Sequence, residues 1–192
     1  MCAHLLQQEQ RLAFSSLSTQ HALVLVALSS LPDTAQVWIH PANAPLSEAV
    51  QTAFTDRLQA FIDAWTSHEQ AVRGDATILH DRFVVLAGLR ADGEPPSGCA
   101  IDDAARTIKA TARELEVQWV PSLHVLSRTA DGTVASVPRA TFQEKADTGD
   151  VTVDTKVFDP SISSLGELRG GAFEQPARQS WHARAFSLPQ PA

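Results

Sequence analysis

The feature that most constrains the fold is a pair of segments in which apolar residues recur at steps of three and four, as on one face of a helix. The first segment begins around Leu46 with Ser47 as the N-cap, and we expect it to end by Gly74 and Asp75. Its apolar positions are Val50, Phe54, Leu58, Phe61, Ile62 and Trp65. The second segment runs from about Ile101 to Glu116.

Short β-branched and aromatic runs flank these two helices. Val37 to His40 predicts a strand, and the run from Ala76 to Arg90 predicts two strands joined by a tight turn at Asp81 and Arg82. Leu123 to Leu126 predicts a further strand. The order strand, helix, strand, strand, helix, strand predicts an α+β protein with a ferredoxin-like split βαβ (βαββαβ) core, over residues 31–160.

The remaining C-terminal residues predict an added hairpin and an irregular tail. After a turn at Asp131-Gly132 come a strand over Thr133 to Val137, a short helix around Arg139 to Asp147 and a strand over Thr155 to Phe158. Ser161 to Arg178 has little periodicity and predicts a surface loop or partial disorder. Trp181 needs apolar contacts, so we expect the tail, residues 161–192, to fold back on the core.

Residues 1–30 form an N-terminal extension that allows three interpretations. Its apolar stretch, Ala22 to Leu28, is far shorter than the ~20 residues of a membrane-spanning helix, so we predict no transmembrane segment. The extension is a helix that packs on the domain, the product of a start codon assigned too far upstream, or a secretory signal peptide.

The charge balance argues against nucleic acid or a membrane as the partner. The 192 residues carry 15 Lys and Arg against 22 Asp and Glu, a net charge of −7, whereas phosphate binding needs clustered cations. Cys2 and Cys99 are far apart and match no metal-ligand spacing, which excludes a disulfide scaffold and a zinc ribbon and favours the reducing cytoplasm. Motifs for phosphate, dinucleotide and zinc binding are absent, and we predict no cofactor.

One short segment has the composition of a chemical site. Ser97-Gly98-Cys99 precedes the second helix, where free amide groups and the helix dipole stabilise a thiolate. Cys99 is therefore a candidate nucleophile or redox-active thiol, with Ser97 and Gly98 as candidate substrate-binding residues. The alternative is that Cys99 is a small packing residue and Gly98 serves the backbone.

The expected topology selects partners for Cys99. In a split βαβ unit the first helix ends where the second begins, so His68 is expected beside Cys99 as a base, although a histidine in the last turn of a helix also interacts with the dipole. Arg128, at the end of the fourth strand, is a candidate anion ligand. His182 and Arg184 in the tail are a second candidate base and a second candidate anion ligand.

Three other histidines offer a less favoured alternative. His40, His80 and His124 are expected at the opposite end of the sheet, where imidazoles could converge on a metal ion. Isolated histidines at strand ends are more often hydrogen-bonded surface residues, so no metal site is predicted.

Five segments resemble a family of uncharacterised bacterial proteins whose members often carry the label "ABC transporter ATPase". They are Trp38 to His40, Phe61 to His68, Asp81 to Phe83, Ser97 to Asp102, and Ser180 to Arg184, within a similarity that spans Leu31 to Phe186. The resemblance implies no established activity or catalytic residue. An ATPase of that class needs a Walker A lysine, which this chain lacks, so we expect no ATP hydrolysis by that mechanism.

The sequence therefore predicts a cytoplasmic binding or regulatory module for a protein or small-molecule ligand. The alternative is a cysteine-dependent enzyme or thiol redox sensor centred on Cys99. Association of ferredoxin-like sheets through exposed edges allows a homodimer.

Overall fold

The computed structural model describes residues 28–191, which form an α+β fold with two four-stranded antiparallel sheets. The elements in chain order are β1 (Gln36–Pro41), α1 (Glu48–Asp63), β2 (Thr66–Ser67), β3 (Gln70–Leu79), β4 (Phe83–Arg90), α2 (Gly98–Glu114), β5 (His124–Arg128), β6 (Val134–Pro138), α3 (Arg139–Asp147), β7 (Lys156–Phe158), α4 (Leu165–Arg169), β8 (Glu174–Pro176), a 3-10 turn (Ala177–Gln179) and α5 (His182–Ala185).

The first sheet, in the order β1-β4-β3-β2, carries α1 and α2 on one face. Ser47 accepts a hydrogen bond from the Val50 amide at 3.4 Å, which confirms the predicted N-cap of α1. The apolar stripe of α1, with Phe54 and Leu58, packs in the same cluster as the stripe of α2, with Ala104 and Ile108. The two predicted helices are therefore confirmed as one layer on the first sheet.

Strand β4 lies at the centre of the molecule because both of its faces are buried. Val84 and Leu86 face the two helices, whereas the alternate residues, such as Phe83 and Val85, face a second cluster that includes Phe158 of β7. Side chains on successive residues of a strand point to opposite faces. The first sheet is thus covered by helices on one side and by the second sheet on the other.

The second sheet has the order β6-β5-β7-β8, and it changes the expected topology. The order β1-β4-β3 matches a ferredoxin-like unit, but that unit also needs β5 beside β1. Here β5 pairs with β6 and β7 instead, so the ferredoxin-like arrangement is not confirmed. The edge of β1 that faces away from β4 is occupied by other segments. The Val37 amide donates to Ser163 O at 3.0 Å, and Val120 N donates to Pro41 O at 2.9 Å.

Two boundaries of the first sheet differ from the predicted ones. Helix α1 ends at Asp63, and Gly74, the expected helix stop, instead lies in β3 opposite Gly88. The turn between β3 and β4 starts one residue earlier than predicted, because His80 and Asp81 take the left-handed backbone, with φ of 51° and 53°. The expected helix termination around Gly74 was therefore wrong, whereas the turn predicted at Asp81 and Arg82 is confirmed, with His80 as an additional turn residue.

The segment 161–178 is ordered, which corrects the prediction of a loop or partial disorder. It contains α4 and β8, and its apolar side chains Leu165, Leu168 and Phe173 are buried in the cluster between the sheets. Ser164 and Glu167 form a capping box at the start of α4. This Ser-x-x-Glu pattern is a known helix-start signal that periodicity alone does not reveal in so short a helix.

The described part of the N-terminal extension is Leu28 to Ser30, and Leu28 is buried in the cluster between the sheets. The three interpretations of the extension concern residues that lie mostly outside the described range. No helix within residues 28–191 combines the length and the apolar character that crossing a membrane requires.

Candidate functional site

The start of α2 is fixed to the first sheet by Ser67, a residue that the sequence analysis did not select. Ser97 caps α2 by accepting from the Ala100 amide at 3.4 Å, and the Ser97 amide donates to Ser67 Oγ at 2.9 Å. Ser67 belongs to β2 and is 2% exposed. A buried hydroxyl thus holds the backbone that immediately precedes Gly98 and Cys99.

Trp65 supplies a second attachment. Its indole Nε1 donates to Ala100 O at 3.0 Å, and the ring is 3% exposed. The ring lies against two facing glycines of β3 and β4: a side-chain carbon on Gly74 would lie 3.2 Å from Trp65, and one on Gly88 would lie 2.6 Å from it. Only glycine at these positions leaves room for the indole ring. The ring is therefore fixed against the sheet, and its hydrogen bond to Ala100 fixes the first turn of α2.

The segment held in this way is exposed. Cys99 is free and exposed, and the amide groups of Gly98 and Cys99 belong to the first helical turn, where they have no intrahelical acceptor. Beside them, His68 and Glu69 form the tight turn between β2 and β3 with φ of 51° and 64°. We call the two segments Ser67–Glu69 and Ser97–Cys99 the α2 rim; its exposed residues are His68, Glu69, Gly98 and Cys99, whereas Ser67 is buried beneath them.

The α2 rim contains His68 and Cys99 at the same end of the first sheet, as the topology predicts. His68 follows Ser67 directly, and Ser67 bonds to Ser97. Within the described residues, however, the Cys99 sulfur has no hydrogen bond to any histidine. A nucleophile and base pair of these two residues therefore stays a prediction.

Arg128 does not lie free at this rim, because it is committed to the second sheet. Its guanidinium donates two hydrogen bonds to Glu174 of β8, from Nε to Oε1 at 2.5 Å and from Nη2 to Oε2 at 2.9 Å. Nη2 of Arg128 also lies 3.0 Å from His80 Nδ1. His80 Nε2 lies 3.2 Å from Glu174 Oε2, and Lys156 Nζ lies 3.8 Å from Oε1. Arg128 was expected to bind an anionic group of a substrate at Cys99. It binds the Glu174 carboxylate of the same chain instead.

Glu174 stays ionised in this cluster. Burial alone would raise the pKa of Glu174, but hydrogen bonds from His80 and Arg128, together with their charge, lower it to about 2. The aromatic rings of Phe158 and Phe173 stand around His80, which explains why these charges are largely shielded from water. The cluster ties the turn of the first sheet to the second sheet.

His182, the other candidate base, is buried rather than available to a substrate. It is 1% exposed, its Nδ1 lies 2.7 Å from Ser180 Oγ, and its Nε2 has no partner. The ring packs against Phe142 of α3. Arg184 is exposed on α5, away from these contacts. The C-terminal candidates therefore belong to the second sheet, whereas Cys99 belongs to the first.

The three histidines of the metal alternative have separate partners. His40 contacts the ring of Trp119 with centroids 5.6 Å apart, and burial, with a smaller contribution from Lys109, lowers the pKa of His40. His124 Nδ1 lies 3.0 Å from Ser136 Oγ, and His80 contacts Glu174 as above. Across residues 28–191, no three side chains of His, Cys, Asp or Glu are arranged to hold a metal ion.

Arg82 lies in the turn that the sequence predicts between β3 and β4, and it is 6% exposed. Its Nε donates to Ala42 O at 2.8 Å, and its two terminal nitrogens donate to the carbonyl oxygens of Asn43 and Val134. Burial lowers the pKa of Arg82. Arg82 thereby joins the β3–β4 turn to the loop after β1 and to β6, a role that no local pattern reveals.

No family model matches this chain, and no curated protein and no solved structure matches it either.

Proposed function

We propose that this protein is a binding or regulatory module that recognises its partner through the α2 rim and catalyses no reaction of its own. The observation that carries this proposal is the hydrogen bond between the Ser97 amide and the buried Ser67 hydroxyl. That bond, with the Trp65 contact to Ala100, fixes an exposed turn to two buried side chains, Ser67 and Trp65. A surface held in one conformation loses little conformational entropy when it binds.

The chemistry of the α2 rim favours a partner that offers hydrogen-bond acceptors. The amide groups of Gly98 and Cys99 are donors at the start of a helix of 17 residues, where the helix dipole also favours an oxygen ligand. With a net charge of −7, the protein favours a neutral carbonyl or amide group over an anion. A peptide segment of a partner protein or a small amide has this character.

An NMR titration tests the proposal. Nitrogen-15-labelled protein is titrated with N-acetylated, C-amidated dipeptides as neutral probes and with acetate as a charged probe. We expect saturable shifts of the amide signals of Gly98, Cys99 and His68 with the neutral probes. Shifts that never saturate, or that cluster elsewhere on the protein, would contradict the proposal.

Two variants at one position make the test sharper. Gly98 is the first helical residue, where proline is tolerated, so Gly98→Pro removes one amide donor while Gly98→Ala keeps it. Loss of one hydrogen bond weakens binding by about two- to tenfold. Equal affinity of the two variants for the dipeptide would show that this amide takes no part in binding.

The exposed thiol supports a second candidate, a cysteine-dependent enzyme or thiol sensor centred on Cys99. In a Cys2→Ser background, the iodoacetamide alkylation rate at pH 7 separates the two functions. A binding module reacts within about tenfold of free cysteine, whereas an activated thiol reacts about a hundredfold faster or more. If His68 is the base, His68→Ala would slow such a fast reaction, and Cys99→Ser is the blank.

A further inference from the structure

His182 is a titratable side chain that is buried without a full set of hydrogen bonds. Its Nδ1 lies 2.7 Å from Ser180 Oγ, while Nε2 is buried and has no partner. One of the two ring nitrogens is therefore satisfied and the other is not. A neutral imidazole can leave one nitrogen without a proton, so it tolerates this environment better than an imidazolium, which must bury a second N–H.

The surroundings of the ring are aromatic. The His182 ring stacks on Trp181 with centroids 3.8 Å apart, and lies 6.2 Å from the ring of Phe186 and 6.1 Å from that of Phe142. An added proton would therefore place a full charge among apolar groups. The cost of burying an unpaired charge is large, and it falls only if the ring reaches water.

The charged groups that act on the ring come from two other elements. Arg139 at the start of α3 lies over the rings of Trp181 and Phe186, at 5.6 Å and 4.8 Å, and disfavours a second positive charge. Asp159, which follows β7, favours it. Burial is the largest influence, and with Arg139 it outweighs Asp159, so that the pKa of His182 falls to about 4.

The segment that carries His182 is attached through few polar contacts. Gln143 of α3 forms two of them, accepting from the Ser187 amide at 3.0 Å and donating to Ser187 O at 3.2 Å. Val153 N donates to Pro189 O at 2.9 Å, and Ser180 N donates to Ala177 O at 3.2 Å. Beneath the segment lies an apolar cluster of the second sheet and α3, which includes Val125, Phe142, Ala146, Val151 and Val157.

We propose that residues 180–191 act as a pH-sensitive latch: protonation of His182 releases them from α3 and uncovers the apolar cluster of the second sheet. The imidazolium gains hydration when the segment leaves, whereas the neutral ring keeps its aromatic contacts. Release differs from acid unfolding because, within the described residues, the apolar clusters on the two faces of the first sheet include no side chain from residues 180–191.

Hydrogen exchange measured by mass spectrometry on the full chain tests the latch. Protection factors, corrected for the intrinsic pH dependence of exchange, are compared at pH 7.5, 6.5, 5.5 and 4.5 for peptides from residues 180–191 and from β4. Opening that is coupled to one proton lowers protection by up to about tenfold per pH unit between about 6.5 and 4. We expect this loss in residues 180–191 and constant protection in β4.

Two variants remove the proton site while they keep different contacts. His182→Gln keeps a polar group near Ser180, and His182→Phe keeps a ring, so at least one is expected to retain the packed segment at pH 7.5. The loss of protection should disappear in whichever variant packs normally at pH 7.5. A loss that persists in that variant, equal losses in β4, or no loss in the native chain would each overturn the latch.

If both variants are unprotected at pH 7.5, an NMR titration of the His182 ring in the native chain tests the latch instead. The pKa of His182 must match the pH at which residues 180–191 lose protection, and a mismatch overturns the proposal.

Discussion

The indole ring of Trp65 fills the space beside Gly88, so closely that a side-chain carbon on Gly88 would lie 2.6 Å from Trp65 Cζ3. The same indole donates to Ala100 O in the first turn of α2. A glycine in the central strand of one sheet thus determines where an exposed helix start is held. The relationship links an inner strand of the first sheet to the candidate binding surface.

Substitution of this glycine should be costly. Gly88→Ala forces the Trp65 ring or the strand to shift, and overpacking of this kind costs about 1–3 kcal/mol of unfolding free energy. Gly98→Ala is the matched control, because a side-chain carbon there meets no atom within 4 Å. Urea denaturation of both variants checks the prediction, and equal stability of the two would contradict it.

Ser67 should be needed for the conformation of the α2 rim. Ser67→Ala leaves the half-buried Ser97 amide without its acceptor, which lowers the unfolding free energy by about 1 kcal/mol. Amide exchange at Ser97 to Ala100 should accelerate as well. Thr66→Ala changes the exposed neighbour on the same strand and should alter neither quantity. Unchanged exchange in Ser67→Ala would show that the rim does not depend on this bond.

Glu174 should make the protein sensitive to acid. The pKa of Glu174 is lowered from its ordinary value of 4.5 to about 2 in the folded chain. The ionised carboxylate therefore stabilises the fold at pH values above 4.5, and this stabilisation is lost as the pH falls from 4.5 to about 2. The loss amounts to about 3 kcal/mol at about 1.4 kcal/mol for each pH unit of the pKa difference.

Thermal unfolding of the native chain and of Glu174→Gln between pH 7 and pH 2 measures this contribution. The amide variant is less stable at pH 7, because Arg128 and His80 lose a carboxylate, and its stability should depend less on pH below 4.5. Parallel pH curves for the two proteins would rule out the assignment.

Arg82 should tolerate no replacement, even by another cation. Lysine has no planar fork of donors, so Arg82→Lys leaves at least one of the carbonyls of Ala42, Asn43 and Val134 without its donor, at a cost of about 3 kcal/mol. Arg73→Lys, at an exposed position of β3, is the control and should be neutral. Chemical denaturation compares them, and a neutral Arg82→Lys would mean that water replaces the guanidinium at little cost.

Local signals in the sequence predicted the elements well where those signals act over one or two helical turns. Ser47 begins α1 as predicted and α3 has the predicted bounds, whereas α2 begins at Gly98, three residues before the predicted start. The pattern also placed Cys99 at a helix start. It overlooked α4, because a helix of five residues is too short to show periodicity, although Ser164 and Glu167 carried its capping box.

The candidate site was only partly accessible to such reasoning. Cys99 and Ser97 could be selected from their position at a helix start, but the residues that hold this segment are distant in sequence: Ser67 lies 30 residues from Ser97, and Trp65 lies 35 residues from Ala100. Arg128 was selected as a free cation because its partner, Glu174, lies 46 residues further along in a segment with no visible pattern. Spacing along the chain carries no information about such pairs.

The sequence by itself determined the α+β class, the two amphipathic helices and most strand positions, because propensity, capping and periodicity depend on neighbours within a few residues. Only the tertiary structure decided that β5 joins a second sheet, that α1 ends at Asp63, and that His182 is buried. Each of these outcomes depends on apolar area and hydrogen-bonding groups contributed by distant segments. The free energy of burying them together exceeds the local preferences that the sequence pattern reveals.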